Sequence, residues 1–233
     1  MKIGQCHLSF MQVRLEPSDR SELVTQLIYG ETYAVLEELE KWLSIEIHGD
    51  NYRGYIDKKQ YNQKAFNNQE AAINTEFSLI IREEDRKINV PIGAFLNSTK
   101  VSQPSLKETL ELFKNFLGAP YVWGGKTQFG YDCSGFTQIF FRCLGVSLLR
   151  DAYQQATQGA TVHLLDEAQT GDLAFFDNAE GKISHVGIII KEDSIFKIIH
   201  SSGELRMDAL DHQGIYKKNE GYSHNLRLIQ RML

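Results

Sequence analysis

Tyr131-Asp132-Cys133-Ser134-Gly135-Phe136 is the stretch on which the reading of this chain turns. A loop passes there into an apolar helix, expected over about Cys133 to Leu144 and closed by Gly145. Free amides and the partial positive charge at a helix start favour a thiolate, and the thiolate is the nucleophilic form of cysteine. Gly135 would let another element approach the first turn closely. Most free cysteines are small buried hydrophobes. Cys6 and Cys143 fit that description, whereas Cys133 has polar neighbours on both sides and a helix start.

Working outward, Tyr121-Val122-Trp123-Gly124-Gly125 forms a glycine-rich loop ahead of this segment. Before the loop, Ser105 and Glu108 have the spacing of a capping box, in which each side chain satisfies the other's free amide. Leu106, Leu110, Phe113 and Leu117 share one face of the helix so begun, and Gly118 ends it. After the cysteine helix, runs over 172–177, 184–191, 194–200, 203–208 and 223–230 read as strands. Helices first and an antiparallel sheet after make an α+β domain, expected over 104–233.

Seven histidines are present. His185 opens the apolar run Val186-Gly187-Ile188-Ile189-Ile190, and His200 closes the run Ile195-Phe196-Lys197-Ile198-Ile199. With Glu192-Asp193 as a two-residue turn, the two histidines become direct cross-strand partners, their Cβ atoms about 5 Å apart. A general base and its orienting group need that relation, because the second residue fixes the tautomer and ring direction of the first. His7, His48, His163, His212 and His224 read as surface or packing residues. Zinc on His185, His200 and Cys133 lacks a carboxylate or fourth ligand at telling spacing, so neither metal nor cofactor is expected.

Ahead of the catalytic region, residues 1–62 read as short strands and turns. Leu43, Ile45 and Ile47 alternate with Trp42, Ser44, Glu46 and His48, the period of a half-buried strand. Frequent turns such as Glu16-Pro17-Ser18-Asp19 and Gly49-Asp50-Asn51 then suggest a small barrel. Residues 63–103 hold one hairpin, with Phe77, Leu79 and Ile81 leading to a charged tip and Ile88 and Val90 returning. A boundary is expected from Asn97 to Pro104.

The 233 residues suit two modest domains, and 42% hydrophobic content is enough for real cores. The net charge is -5 and no Lys/Arg stripe stands out, so neither nucleic acid nor a membrane is an expected partner. Three cysteines without a C-x-x-C make no disulfide framework and suggest a reducing compartment. Gln5, His7 and Ser9 interrupt any apolar leader, which with Met1 as the start gives a cytoplasmic expectation.

Several motifs, in order and spacing, resemble those of NlpC-type cell-wall peptidases. They are Pro120-Tyr121-Val122-Trp123-Gly124-Gly125, Asp132-Cys133-Ser134-Gly135-Phe136, Arg150-Asp151, Gly171-Asp172-Leu173-Ala174-Phe175-Phe176, His185-Val186-Gly187-Ile188 and His200. Val13-Arg14-Leu15-Glu16-Pro17-Ser18 and Tyr52-Arg53-Gly54-Tyr55-Ile56 resemble bacterial SH3 domains found ahead of that catalytic domain. The resemblance implies a papain-like fold with a Cys133-His185-His200 triad. It also implies hydrolysis of the γ-D-glutamyl–L-diamino acid bond in small peptidoglycan peptides whose L-Ala amino end is free. Tyr121, Asp132, Ser134 and Asp151 would line the site, with Glu16 and Tyr52 added by the barrel, and 63–103 would be a linker or a partial second SH3-like unit. Relatives often carry serine where Ala152 stands. A cleft closed by the barrel needs a carboxylate for the substrate ammonium, for which Asp132 is the first candidate and Glu16 the second. Two other readings are a wall-peptide-binding module without catalysis and an acyltransferase using the same thioester chemistry. Retention of both Cys133 and His185 argues against the first.

Overall fold

The computed structural model describes residues 2–63, 71–77, 79–83, 85–97 and 103–233. Its first unit is six short strands: β1 (Lys2–Gln5), β2 (Phe10–Arg14), β3 (Leu23–Ile28), β4 (Thr32–Glu38), β5 (Trp42–Ile47) and β6 (Arg53–Asp57). They form an antiparallel sheet in the order β1-β4-β5-β6-β2-β3. Alternation along β5 sends Leu43, Ile45 and Ile47 into a core with Val13, Leu27, Tyr33 and Ile56. The expected barrel is present.

Four strands follow: β7 (Ala72–Ile73), β8 (Leu79–Glu83), β9 (Arg86–Val90) and β10 (Phe95–Leu96). β8 and β9 form the expected hairpin, with Leu79 opposite Val90, while β7 pairs with β10. Ile88, Val90, Ile92 and Ala94 join the main apolar cluster of the C-terminal region. Part of the boundary expected over 97–104, residues 98–102, lies outside the described residues.

The C-terminal region holds α1 (Leu106–Lys114), β11 (Lys126–Thr127), β12 (Gly130–Tyr131), α2 (Cys133–Cys143) and α3 (Ala152–Gln155). Then come β13 (Ala160–Val162), β14 (Leu173–Asp177), β15 (Ile183–Glu192), β16 (Ile195–Ser202), β17 (Glu204–Leu210), β18 (Gly214–Lys217) and β19 (Gly221–Arg231). The Ser105–Glu108 capping box is formed. α1 is shorter than its periodicity suggests: it stops at Lys114, Leu117 is 43% exposed, and Phe116 turns inward to stack on Phe77.

The large sheet runs β13-β19-β14-β15-β16-β17-β18, and β18 also pairs with β19, so β14 to β19 close on themselves. Alternation gives the strands two apolar faces. Phe175, Val186, Ile188 and Ile199 pack with Phe113, Phe136 and Phe140 of α1 and α2. On the other face Phe176, Ile189, Ile198, Leu210 and Ile215 form a separate cluster. Lys191 bonds the carbonyls of Asp166 and Ala168 at one end of β15, which leaves His185 at the opposite end. Among the described residues no helix is long and apolar enough to cross a membrane.

The β15–β16 register corrects one expectation. The two-residue turn is Asp193-Ser194, with Glu192 opposite Ile195 and Ile188 opposite Ile199. His200 therefore sits beside Gly187, not directly opposite His185. Asp193 takes φ 54°, a left-handed conformation that Asp tolerates better than most residues, and this shifts the turn by one residue.

Candidate active site

Asp132 caps α2, its carboxylate accepting from the Gly135 amide at 2.6 Å. Gly135 packs against the loop ahead, since a Cβ there would lie 2.2 Å from the Gly125 carbonyl oxygen. The first helical residue is thus Cys133, 6% exposed. The Ser134 amide at the helix start and the Val186 amide of β15 both reach its sulfur. Burial nevertheless dominates and, with the nearby Asp132 charge, pushes the thiol up to about 12. The surroundings of Cys133 thus favour the thiol over the thiolate that a helix start alone suggests.

His185 and His200 meet diagonally, His185 Nε2 lying 2.7 Å from His200 Nδ1. Burial drives His185 well below the ordinary imidazole value, and His200 and His224 add to the effect. Burial also lowers His200. Asp208 and Arg206 of this cluster escaped sequence reasoning. Asp208 Oδ2 lies 3.0 Å from His200 Nε2, while Arg206 grips the same carboxylate through Nε at 2.6 Å and Nη2 at 2.9 Å. His224 stacks on His185 with ring centroids 4.2 Å apart, and burial lowers it to about 4. Half-buried, it takes the packing role of the two expected for it, and closure of β19 onto the sheet brings it there.

A cleft of about 400 Å³ opens over Cys133. The catalytic region lines it with Tyr121, Trp123, Asp132, Ser134, Asp151, Ala152 and Tyr153, and the small barrel with Glu22, Val24 and Tyr52. Glu16 does not line it: Glu16 is exposed in the β2–β3 turn, while Glu22 accepts from Trp123 Nε1 at 2.6 Å. Burial raises Tyr52 to about 12. Asp151 is also raised by burial, against the pull of Arg150.

Asp132 lines the cleft but its lone pairs are committed. Arg150 binds both carboxylate oxygens, and the Gly124 and Gly135 amides donate at 2.8 and 2.6 Å. Arg150 also donates to Ser134 Oγ at 2.8 Å and to Thr25 Oγ1 of the barrel at 2.7 Å. Arg150 thus offsets the Asp132 charge, and Asp151 and Glu22 are further acids lining the cleft.

The barrel is held against this site by buried charge. Glu31, in the β3–β4 turn, pairs with Lys126 at 2.9 Å and Arg142 at 2.6 Å. Burial alone would raise its carboxyl, but the two cations outweigh it and hold it at about 2.

Residues 118–224 match the NlpC/P60 family, and residues 13–60 the bacterial dipeptidyl-peptidase SH3 domain. The chain is 30% identical over 215 residues to the gamma-D-glutamyl-L-lysine dipeptidyl-peptidase of Bacillus subtilis, covering 76% of this chain and 71% of that one. This chain belongs to the NlpC/P60 family. Like other NlpC/P60 members it is a cysteine peptidase. Dipeptidyl-peptidase 6 of Lysinibacillus sphaericus is 24% identical, with 85% of this chain and 88% of that one aligned. An NlpC/P60 protein structure from Bacillus cereus superposes over 99% of both chains with a TM-score of 0.80; at 19% identity this likeness concerns the fold alone. The papain-like α+β fold with its N-terminal SH3 domain is thereby shown.

Proposed function

We propose that this NlpC/P60 peptidase hydrolyses the γ-D-glutamyl–L-diamino acid bond of peptidoglycan-derived peptides with a free N-terminal L-Ala, as part of murein-peptide recycling. The observation that carries the reading is the cleft itself. The SH3 domain supplies one wall through Glu22, Val24 and Tyr52, and a groove bounded on that side suits the terminus of a short peptide better than a continuous wall strand. Carboxylates of Asp151 and Glu22 stand in the cleft, where a substrate ammonium would otherwise lose solvation at a cost of several kcal/mol. The names of the relatives agree with this chemistry.

In this reading His185 takes the Cys133 proton as sulfur attacks the γ-glutamyl carbonyl. Both groups start uncharged, so proton transfer accompanies attack. Backbone donors at the start of α2, the Ser134 amide among them, face the developing oxyanion. The C–N bond breaks, His185 returns the proton to the departing amine, and water hydrolyses the thioester to regenerate the thiol. The test compares L-Ala-γ-D-Glu-L-Lys with its N-acetyl form by mass spectrometry. Release of L-Ala-D-Glu from the free peptide alone is expected. Equal cleavage of both would refute amine recognition, and no cleavage of either would refute the substrate assignment.

A further inference from the structure

We infer that Asp208 is a positioning residue that acts through His200 to set which nitrogen of His185 is free to take the thiol proton. The inference rests on Cys133 and His185 being the reacting pair. It follows from three contacts in series: Asp208 Oδ2 to His200 Nε2 at 3.0 Å, His200 Nδ1 to His185 Nε2 at 2.7 Å, and the double grip of Arg206 on Asp208.

An ionised carboxylate can only accept hydrogen bonds. His200 must then carry its proton on Nε2, and as a neutral ring it offers a bare Nδ1. That nitrogen faces His185 Nε2, which must donate. A neutral His185 so arranged has its lone pair on Nδ1, the nitrogen left over for the thiol. The chain of donors runs one way only while Asp208 stays charged. Arg206 ensures that charge: burial alone would raise the carboxyl, but hydrogen bonds from His200 and Arg206 hold it at about 2.

Among the described residues the surroundings supply no other carboxylate anchor. His185 faces Phe176 on β14, His200 on β16 and His224 on β19, and Lys217 on β18 contributes positive charge to all three imidazoles. Among the described residues Asp208 is the one carboxylate hydrogen-bonded to the pair. His224 stacks on the ring face of His185, which limits tilt without choosing a tautomer.

The experiment uses the full chain. Nitrogen-15 NMR of the imidazoles in the unsubstituted protein should show His185 as the Nε2–H tautomer. The Nδ1–H tautomer would overturn the inference without any variant being made. Asp208→Asn keeps the side-chain shape and removes the charge, so the tautomers become free to exchange. With L-Ala-γ-D-Glu-L-Lys, kcat should fall about 10–100-fold while KM stays within about threefold, and Asp208→Glu should recover part of the loss. A kcat loss under about tenfold, or a loss confined to KM, would overturn it. Iodoacetamide alkylation of Cys133, which needs no peptide, should slow in parallel. If the tripeptide is not cleaved at all but alkylation slows in Asp208→Asn, the substrate assignment fails and the role of Asp208 stands.

Discussion

His200 stands beside Gly187 across the β15–β16 pairing, and its ring reaches diagonally over that glycine to His185. A Cβ on Gly187 would lie 2.8 Å from His200 Cβ and 2.7 Å from Ile198 side-chain carbons. Ile198 is fully buried and cannot yield.

Gly187→Ala should therefore displace His200 from His185. A shift near 1 Å in a catalytic group costs on the order of 100-fold. Steady-state kinetics should show a loss in kcat of that order with KM little changed. Retention of kcat within about threefold would show that the diagonal contact is dispensable.

Cys133→Ala and His185→Ala should each abolish turnover to a similar extent, because nucleophile and base act as a unit. Circular dichroism should remain unchanged. Cys143→Ala should retain activity and lose stability only through the small cavity it leaves, since Cys143 is buried at the far end of α2. Activity in purified Cys133→Ala would assign the nucleophile elsewhere.

The pH course of alkylation follows from burial. The thiol is pushed up to about 12 and His185 is pushed down, so the uncharged pair dominates at neutrality. Iodoacetamide reactivity should climb from neutral into alkaline pH without an early plateau. A plateau already reached below pH 7 would reveal a thiolate–imidazolium pair formed before substrate binds.

Glu31→Gln tests how the SH3 domain is held. Removing this carboxylate strands Lys126, which is fully buried, and Arg142, at a cost of about 3–5 kcal/mol. The same carboxylate has an acid signature. Its folded value is about 2 against an ordinary 4.5, so its contribution is fully present above about 4.5 and is lost as pH falls through about 2. Urea unfolding should show a lower midpoint for Glu31→Gln at pH 7 and a smaller gap between variant and parent near pH 3. A constant gap would mean that the charge of Glu31 is not what secures the interface.

Much of this protein could be read in one dimension. The capping box at Ser105 and Glu108, the helix start at Cys133, the alternation of β5 and the hairpin of β8 and β9 all rest on neighbours a few residues apart. The short-range chemistry that specifies them is written locally. The order and spacing of the motifs around Cys133, His185 and His200 likewise carried the family resemblance. What the sequence could not decide depends on elements brought together from afar. The register of β15 and β16 hinged on which residues near Asp193 took the turn, a choice of one position that moved His200 from opposite His185 to the diagonal. Closure of β18 onto β19 stacked His224 on His185, and β17 delivered Asp208 to His200. Asp132, which by sequence alone could cap a helix, hold an ammonium or do both, caps α2 and is paired with Arg150, 18 residues away in the chain. Burial, finally, is a property of the packed molecule: a cysteine at a helix start reads as a thiolate until the surrounding core removes the water that would solvate its charge.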